Sequence, residues 1–155
     1  MPSERKKPLS SEKFEEIFSQ VPRLCVDLII RKDGGLILSQ RSLPTWHGQW
    51  HLPGGTIYYQ ERVADAAYRI AKEETGIDIT IAKTLGYIEI TSSLKERGYG
   101  QDISIALLAD YQGGELYEKT DEASALGVFK EIPENTVAEH VEFLKAHWTE
   151  IFPAN

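Results

Sequence analysis

The fold class this sequence predicts is an α/β sandwich with a mixed central sheet, and three observations predict it. Two runs rich in aliphatic residues, Leu24–Arg31 and Leu36–Arg41, flank Lys32-Asp33-Gly34-Gly35, which has the composition of a β-hairpin turn. A helix-period segment, Glu61–Thr75, stands between strand-like runs. A second one, Val137–Trp148, closes the chain after further strands. Strands alternating with helices bury their apolar faces as layers, with helices covering a sheet.

The elements follow in order. Residues 1–8 are polar and are expected to be a disordered tail, leaving 9–155 as a single domain. From Leu9 a short helix is predicted, capped by Ser10, with Leu9 stapled against Phe14 and an apolar stripe of Phe14, Ile17, Phe18 and Val21. Pro22 ends it. After the hairpin, Trp50–Leu52 is a short strand leading into Pro53-Gly54-Gly55. In the helix Glu61–Thr75, Val63, Ala67, Ile70 and Glu74 recur at i, i+4, i+7 and i+11, and Gly76 stands where a helix stops. Strands are expected at Ile77–Ile81, Leu85–Thr91, Ile103–Tyr111 and Ala125–Lys130. Between them, Ser92–Gln101 reads as an exposed loop and Gly113-Gly114 as a turn.

Composition removes several classes of function. A net charge of −7 over 155 residues argues against binding a nucleic-acid backbone. The basic cluster Arg5-Lys6-Lys7 reads as a solvated chain end. No apolar run is long enough to span a bilayer, and the N-terminus has no secretory signal segment, so the expected home is the cytoplasm. The single cysteine, Cys25, lies in an apolar run and reads as a buried structural thiol.

The chemistry concentrates around one helix. Glu73 and Glu74 are adjacent at its end, and its start is approached through Pro53-Gly54-Gly55. Neighbouring carboxylates repel unless a cation neutralises them or both face water. Their hard oxygens suit Mg²⁺ or Mn²⁺, which a few carboxylates hold together with phosphate oxygens and water. Arg69, one turn before Glu73, is placed to brace it. The glycine pair permits close backbone approach, so that a carbonyl there can join a coordination shell.

The stretch Gly55-Thr-Ile-Tyr-Tyr-Gln-Glu61-Arg-Val-Ala-Asp-Ala-Ala-Tyr-Arg69-Ile70-Ala71-Lys-Glu73-Glu74-Thr-Gly76-Ile77 resembles the Nudix box, G-x5-E-x7-R-E-U-x-E-E-x-G-U, where U is a bulky aliphatic residue. Gly55, Glu61, Arg69, Glu73, Glu74, Gly76 and Ile77 match. Ile70 and Ala71 depart, and Ile70 stands where the box has a glutamate that often ligates metal or acts as base. The resemblance implies a Nudix-type α/β/α sandwich and a hydrolase that uses Mg²⁺ or Mn²⁺ on a nucleoside diphosphate linked to another moiety. It makes Glu73, Glu74 and the Gly55 carbonyl metal ligands, Arg69 the residue orienting the glutamates, and Glu61 a supporting carboxylate. The implied partner is a small nucleotide, and a homodimer is compatible with the fold.

One branch of the family, the GDP-mannose mannosyl hydrolases, also lacks the glutamate at position 70. There water attacks the sugar carbon, and one metal ion suffices. The segments Ser39-Gln40-Arg41 and Gly48-Gln49-Trp50-His51-Leu52-Pro53-Gly54-Gly55 resemble that branch, as does the early helix followed by Pro22-x4-Asp27. By that likeness Asp27 and Arg41 contact substrate. The branch's late Gln-His pair is absent, with Ala123 and Ser124 at those positions. Glu122 instead resembles the late glutamate that other members use as ligand or base.

Trp50, like Trp46 and Tyr58, is a candidate to stack on a nucleotide base. His47 and His51 read as turn or packing residues, and His140 and His147 as surface residues. Asp27, a carboxylate inside an apolar strand, points to a functional or network role. Attack at phosphorus and attack at carbon both stand, as does a second reading: a nucleotide-binding protein that keeps the fold without efficient catalysis. The isopentenyl diphosphate isomerase branch expects a catalytic cysteine, and Cys25 lacks that setting.

Overall fold

The computed structural model describes residues 7–154. Eleven elements follow one another along it: α1 (Ser11–Phe18), β1 (Arg23–Lys32), β2 (Gly35–Arg41), β3 (Trp50–His51), β4 (Gly54–Thr56), α2 (Val63–Thr75), β5 (Ile77–Ile90), α3 (Ser93–Arg97), β6 (Asp102–Gly114), β7 (Ala123–Phe129) and α4 (Ala138–Ile151).

The hairpin forms as expected. Asp33 and Gly34 take positive φ of 50° and 78°, and Lys32 faces Gly35. Its two strands then diverge. The first half of β1 pairs with β4, matching Val26 to Gly55 and Asp27 to Gly54, while its other edge runs parallel to β6 from Arg23 to Arg31. β2 takes β7 along its length and β3 at Ser39 and Gln40. β5 lies antiparallel to β6 at the edge of the sheet. Parallel and antiparallel pairs therefore share one mixed, seven-stranded sheet.

Alternation along the strands supplies two apolar faces. Val26, Leu28 and Ile30 of β1, with Ile37, Leu107 and Ala109, pack beneath α2 through Ala66, Ala67, Ile70 and Ala71. Ile29, Leu36, Leu38, Ala106 and Leu108 pack against Leu144 and Ile151 of α4. The result is the α/β/α sandwich. No helix among the described residues is long and apolar enough to cross a membrane.

Several expected boundaries move. Residues 77–90 form one strand that runs through 82–84, between the two strands expected, with register shifts at Ile81/Lys83 and Thr84/Gly86. Gly113 and Gly114 pair with Asp78 and Ile77 as the end of β6. A Cβ at Gly114 would stand 2.9 Å from the Gly76 carbonyl, so the glycine serves close strand approach there instead of a turn. Ser92–Gln101 contains the short helix α3, and β4 had no sequence signal of its own.

α2 starts at Val63, not Glu61, and Val63 is exposed. Gly76 stops it with φ 79°, and a Cβ there would approach the Glu115 carbonyl to 2.7 Å. α1 is capped by Ser10, yet none of its residues is fully buried, and Val21 is exposed. Of the expected tail, residues 1–6 lie outside the described residues. Lys7 is placed, and it reaches the candidate site.

Candidate active site

The loop before α2 and the helix itself are tied together by one guanidinium. Arg69 Nε and Nη2 donate to the two Glu61 oxygens at 2.8 and 3.0 Å, a bidentate pair. Nη2 also reaches the Thr56 carbonyl at 2.9 Å, and Nη1 reaches Glu73 Oε2 at 3.1 Å. Tyr58 contributes its backbone N–H to Glu61 at 3.1 Å, and its ring lies 3.9 Å below the Arg69 guanidinium carbon. The side chains of Glu61 and Arg69 are 2% and 5% exposed, so this is an internal brace that leaves Glu73 and Glu74 toward the open side. Glu61 helps fold the loop, which is why the helix begins two residues after it.

Glu74 faces Glu122 across the gap between α2 and the loop before β7. Burial, then Glu122 and Glu73, push its carboxyl up to about 7. Glu122 behaves differently. Burial pushes its carboxyl up, but Lys7 Nζ, 2.8 Å from Oε1, outweighs that and holds it below the ordinary carboxylate range. Arg41 completes the group. Burial lowers its guanidinium pKa, while Glu122 and Glu74 act to raise it, and its Nε donates to the Thr45 carbonyl at 3.1 Å. The structure thus brings together Glu74, Glu122, Arg41 and, through Arg69, Glu73.

Ile70 is 2% exposed and belongs to the core beneath α2. Its Cδ1 lies 3.6 Å from where a Gly55 Cβ would stand, so it supports the glycine loop from below. The interior side chain that a glutamate would replace is fully packed.

Two expected substrate residues lie elsewhere. Asp27 is 6% exposed, on the α4 side of the sheet, with Oδ2 3.2 Å from His140 Nε2. Trp50 packs edge-on against Phe129 with ring centroids 4.6 Å apart and joins the core under α4. His140 corrects the surface reading, since it is 1% exposed. The spacing His140, Leu144, Ile151 already placed it on the buried stripe of α4, a signal available in the sequence. His51 is buried, its ring bonded to the Leu52 carbonyl at 2.8 Å, and burial pushes its pKa down to about 4. Cys25 is buried as expected, its thiol pushed up to about 12 by desolvation.

Among the described residues, no three His, Cys, Asp or Glu side chains stand close enough together to cage a metal ion alone. The donor set nonetheless fits a hard divalent cation that retains waters and phosphate ligands. Glu74 is driven toward protonation first by burial and then by Glu122 and Glu73, and a bound cation would relieve the repulsion among these carboxylates.

A three-layer sandwich that carries a glycine loop and a glutamate-bearing helix on one sheet end defines a Nudix-fold protein. The NUDIX domain profile matches residues 21–148, and the chain belongs to that family. It is 42% identical over 81 residues to the low-salt glycan biosynthesis protein Agl8 of Haloferax volcanii, covering 52% of each chain. It is 36% identical over 104 residues to an ADP-ribose pyrophosphatase of Methanocaldococcus jannaschii, covering 67% of this chain and 60% of that one. The chain therefore spans between half and two thirds of the length of these curated relatives. Among solved structures, a MutT NUDIX hydrolase from Burkholderia pseudomallei superposes with a TM-score of 0.71 at 26% identity, covering 81% of this chain and 97% of that one.

Proposed function

We propose that this protein is a divalent-metal-dependent hydrolase of a nucleoside diphosphate linked to another moiety, of the nucleotide-sugar class. The observation that carries the reading is the convergence of Glu74 and Glu122 with Arg41, beside a Glu73 already oriented by Arg69. Glu73, Glu74 and the Gly55 carbonyl would hold Mg²⁺ or Mn²⁺. When bound, such an ion neutralises the carboxylates, polarises phosphoryl oxygens and lowers the pKa of bound water.

The chain's own residues supply the rest. Arg41 offers a half-buried guanidinium to a phosphate. Glu122, kept ionised at neutral pH by Lys7, accepts the proton of the attacking water. Arg69 keeps Glu73 in place. The relatives named for ADP-ribose pyrophosphate cleavage and for glycan biosynthesis support a nucleotide joined to a sugar through a diphosphate. The substrate is a small molecule, and the cytoplasm is the proposed compartment.

A second reading rests on Ile70, whose burial leaves no carboxylate at the position usual in the box. In it, the protein binds nucleotide without efficient turnover. One assay separates the two. Purified protein is incubated with Mg²⁺ or Mn²⁺ and a panel of nucleoside diphosphate derivatives, with release of both phosphate-containing and reducing-sugar products followed. Metal-dependent turnover reduced at least a hundredfold by Glu74→Gln, on the order of a lost metal-ligand effect, is expected. Tight nucleotide binding without turnover would establish the binding protein instead.

A further inference from the structure

We infer that His140, on α4, is a positioning residue for the glycine loop, holding the Gly55 carbonyl in place through Leu52 and Asp27. This rests on the proposed metal site, since the value of a fixed Gly55 lies in what its carbonyl binds.

His140 is clamped at both ring nitrogens. The Leu52 N–H donates to Nδ1 at 3.1 Å, which leaves that nitrogen unprotonated. The proton therefore sits on Nε2, which donates to Asp27 Oδ2 at 3.2 Å. The two bonds select one neutral tautomer and connect helix α4 to strand β1, through Asp27, and to the link between β3 and β4, through Leu52. A protonated ring could not accept from Leu52, so the arrangement requires the neutral form.

The connection leads to the site in three residues. Leu52 is gripped by His140, and the Pro53 carbonyl accepts the Leu28 N–H at 2.8 Å. Gly54 then lies directly on the Asp27 carboxylate: a Cβ at position 54 would collide with Asp27 Oδ1 and stand 2.7 Å from the Val26 carbonyl. Only glycine permits that approach. Gly55 follows, paired with Val26 on one side and resting over Ile70 on the other. Asp27 thus acts as a spacer whose orientation His140 fixes, and its burial has a reason that contact with substrate does not supply.

The first turn of α4 is itself well anchored. Glu139 Oε2 accepts the N–H groups of Thr91 and Ser92, both at 3.0 Å, and the Trp46 ring meets His140 edge-on at 6.1 Å. Trp46 in turn donates its indole N–H to Ser92 Oγ at 3.0 Å. A histidine held in this frame cannot follow the loop; the loop must follow the histidine.

The test compares wild type, His140→Leu, His140→Gln and Asp27→Ala by Mn²⁺ binding, read from electron paramagnetic resonance, alongside circular dichroism and Tm. Loss of outer-layer support weakens metal affinity about tenfold. That loss is expected for His140→Leu and for Asp27→Ala, which removes the acceptor, with His140→Gln, which keeps an acceptor and a donor, within about threefold of wild type. A folded His140→Leu protein that binds Mn²⁺ as wild type does would overturn the inference, as would a Gln variant no better than Leu. If His140→Leu does not fold, Asp27→Ala decides by the same readout. Wild type that fails to bind Mn²⁺ would instead remove the metal-site reading on which the inference stands.

Discussion

At the scale of single residues, His51 and Glu74 titrate over nearly the same range with opposite effects on stability. His51 has its pKa lowered from 6.5 to about 4 by burial, so the unfolded chain binds the extra proton first. Its contribution is fully present above about 6.5 and is lost as pH falls toward about 4. Glu74, raised from 4.5 to about 7 in the metal-free protein, works the other way: its contribution is present below about 4.5 and is lost as pH rises to about 7. At about 1.4 kcal/mol per pKa unit, each is worth on the order of 3 kcal/mol, less for the half-buried Glu74 because solvent screens it. Tm measured in EDTA from pH 4.5 to 7 should rise with pH more steeply in Glu74→Gln than in wild type. The same measurement on His51→Gln should show a shallower rise or a fall. Parallel profiles for all three proteins would refute both assignments. Little of this was visible in the sequence, because burial, the first cause of both shifts, is set by the tertiary fold.

Among the elements, α2 carries the core along its length and the chemistry at its C-terminal end. Ala66, Ala67, Ile70 and Ala71 look into the sheet, and Glu74 continues that stripe one turn beyond Ile70, while Arg69 and Glu73 turn toward the loop that holds Glu61. The helical period therefore identified Ile70 as a stripe residue and explained why it is not a ligand here. A glutamate at this site would bury a charge under Gly55. Ile70→Glu is expected to destabilise the metal-free protein by about 2–4 kcal/mol, the cost of an unpaired buried carboxyl. Mn²⁺ should restore part of that loss, giving a larger metal-induced Tm increase than in wild type. An equal increase in the two proteins would mean that position 70 never reaches the ion. The start of α2 was misread for a related reason: Glu61 has helical character in sequence, but Arg69 and the Tyr58 N–H hold it in the loop.

In the molecule as a whole, β1 lies at the middle of the sheet. It pairs with β2, β4 and β6, and its alternate side chains enter both cores. α1, by contrast, buries no residue fully and meets the body through Phe14, over which Arg23 stacks at 5.3 Å. Amide hydrogen exchange should therefore be slowest in β1 and β6 and fastest in α1, since opening α1 exposes little apolar surface. Comparable protection of α1 and β1 would contradict this ordering. The sequence by itself determined the local parts: the hairpin turn, the glycine stop of α2, the apolar stripes, and the box that places Glu73, Glu74, Arg69 and Glu61 at fixed helical offsets. Those features depend on backbone propensity and short-range spacing, which neighbouring residues encode. Only the tertiary structure decided which distant groups meet. Glu122 comes to Glu74 because β7 pairs with β2, and His140 comes to Asp27 because α4 packs on the face that β1 turns toward it. Lys7 reaches Glu122 across 115 positions of chain. Such meetings are fixed by how strands pair and how helices cover them, and no local pattern records that.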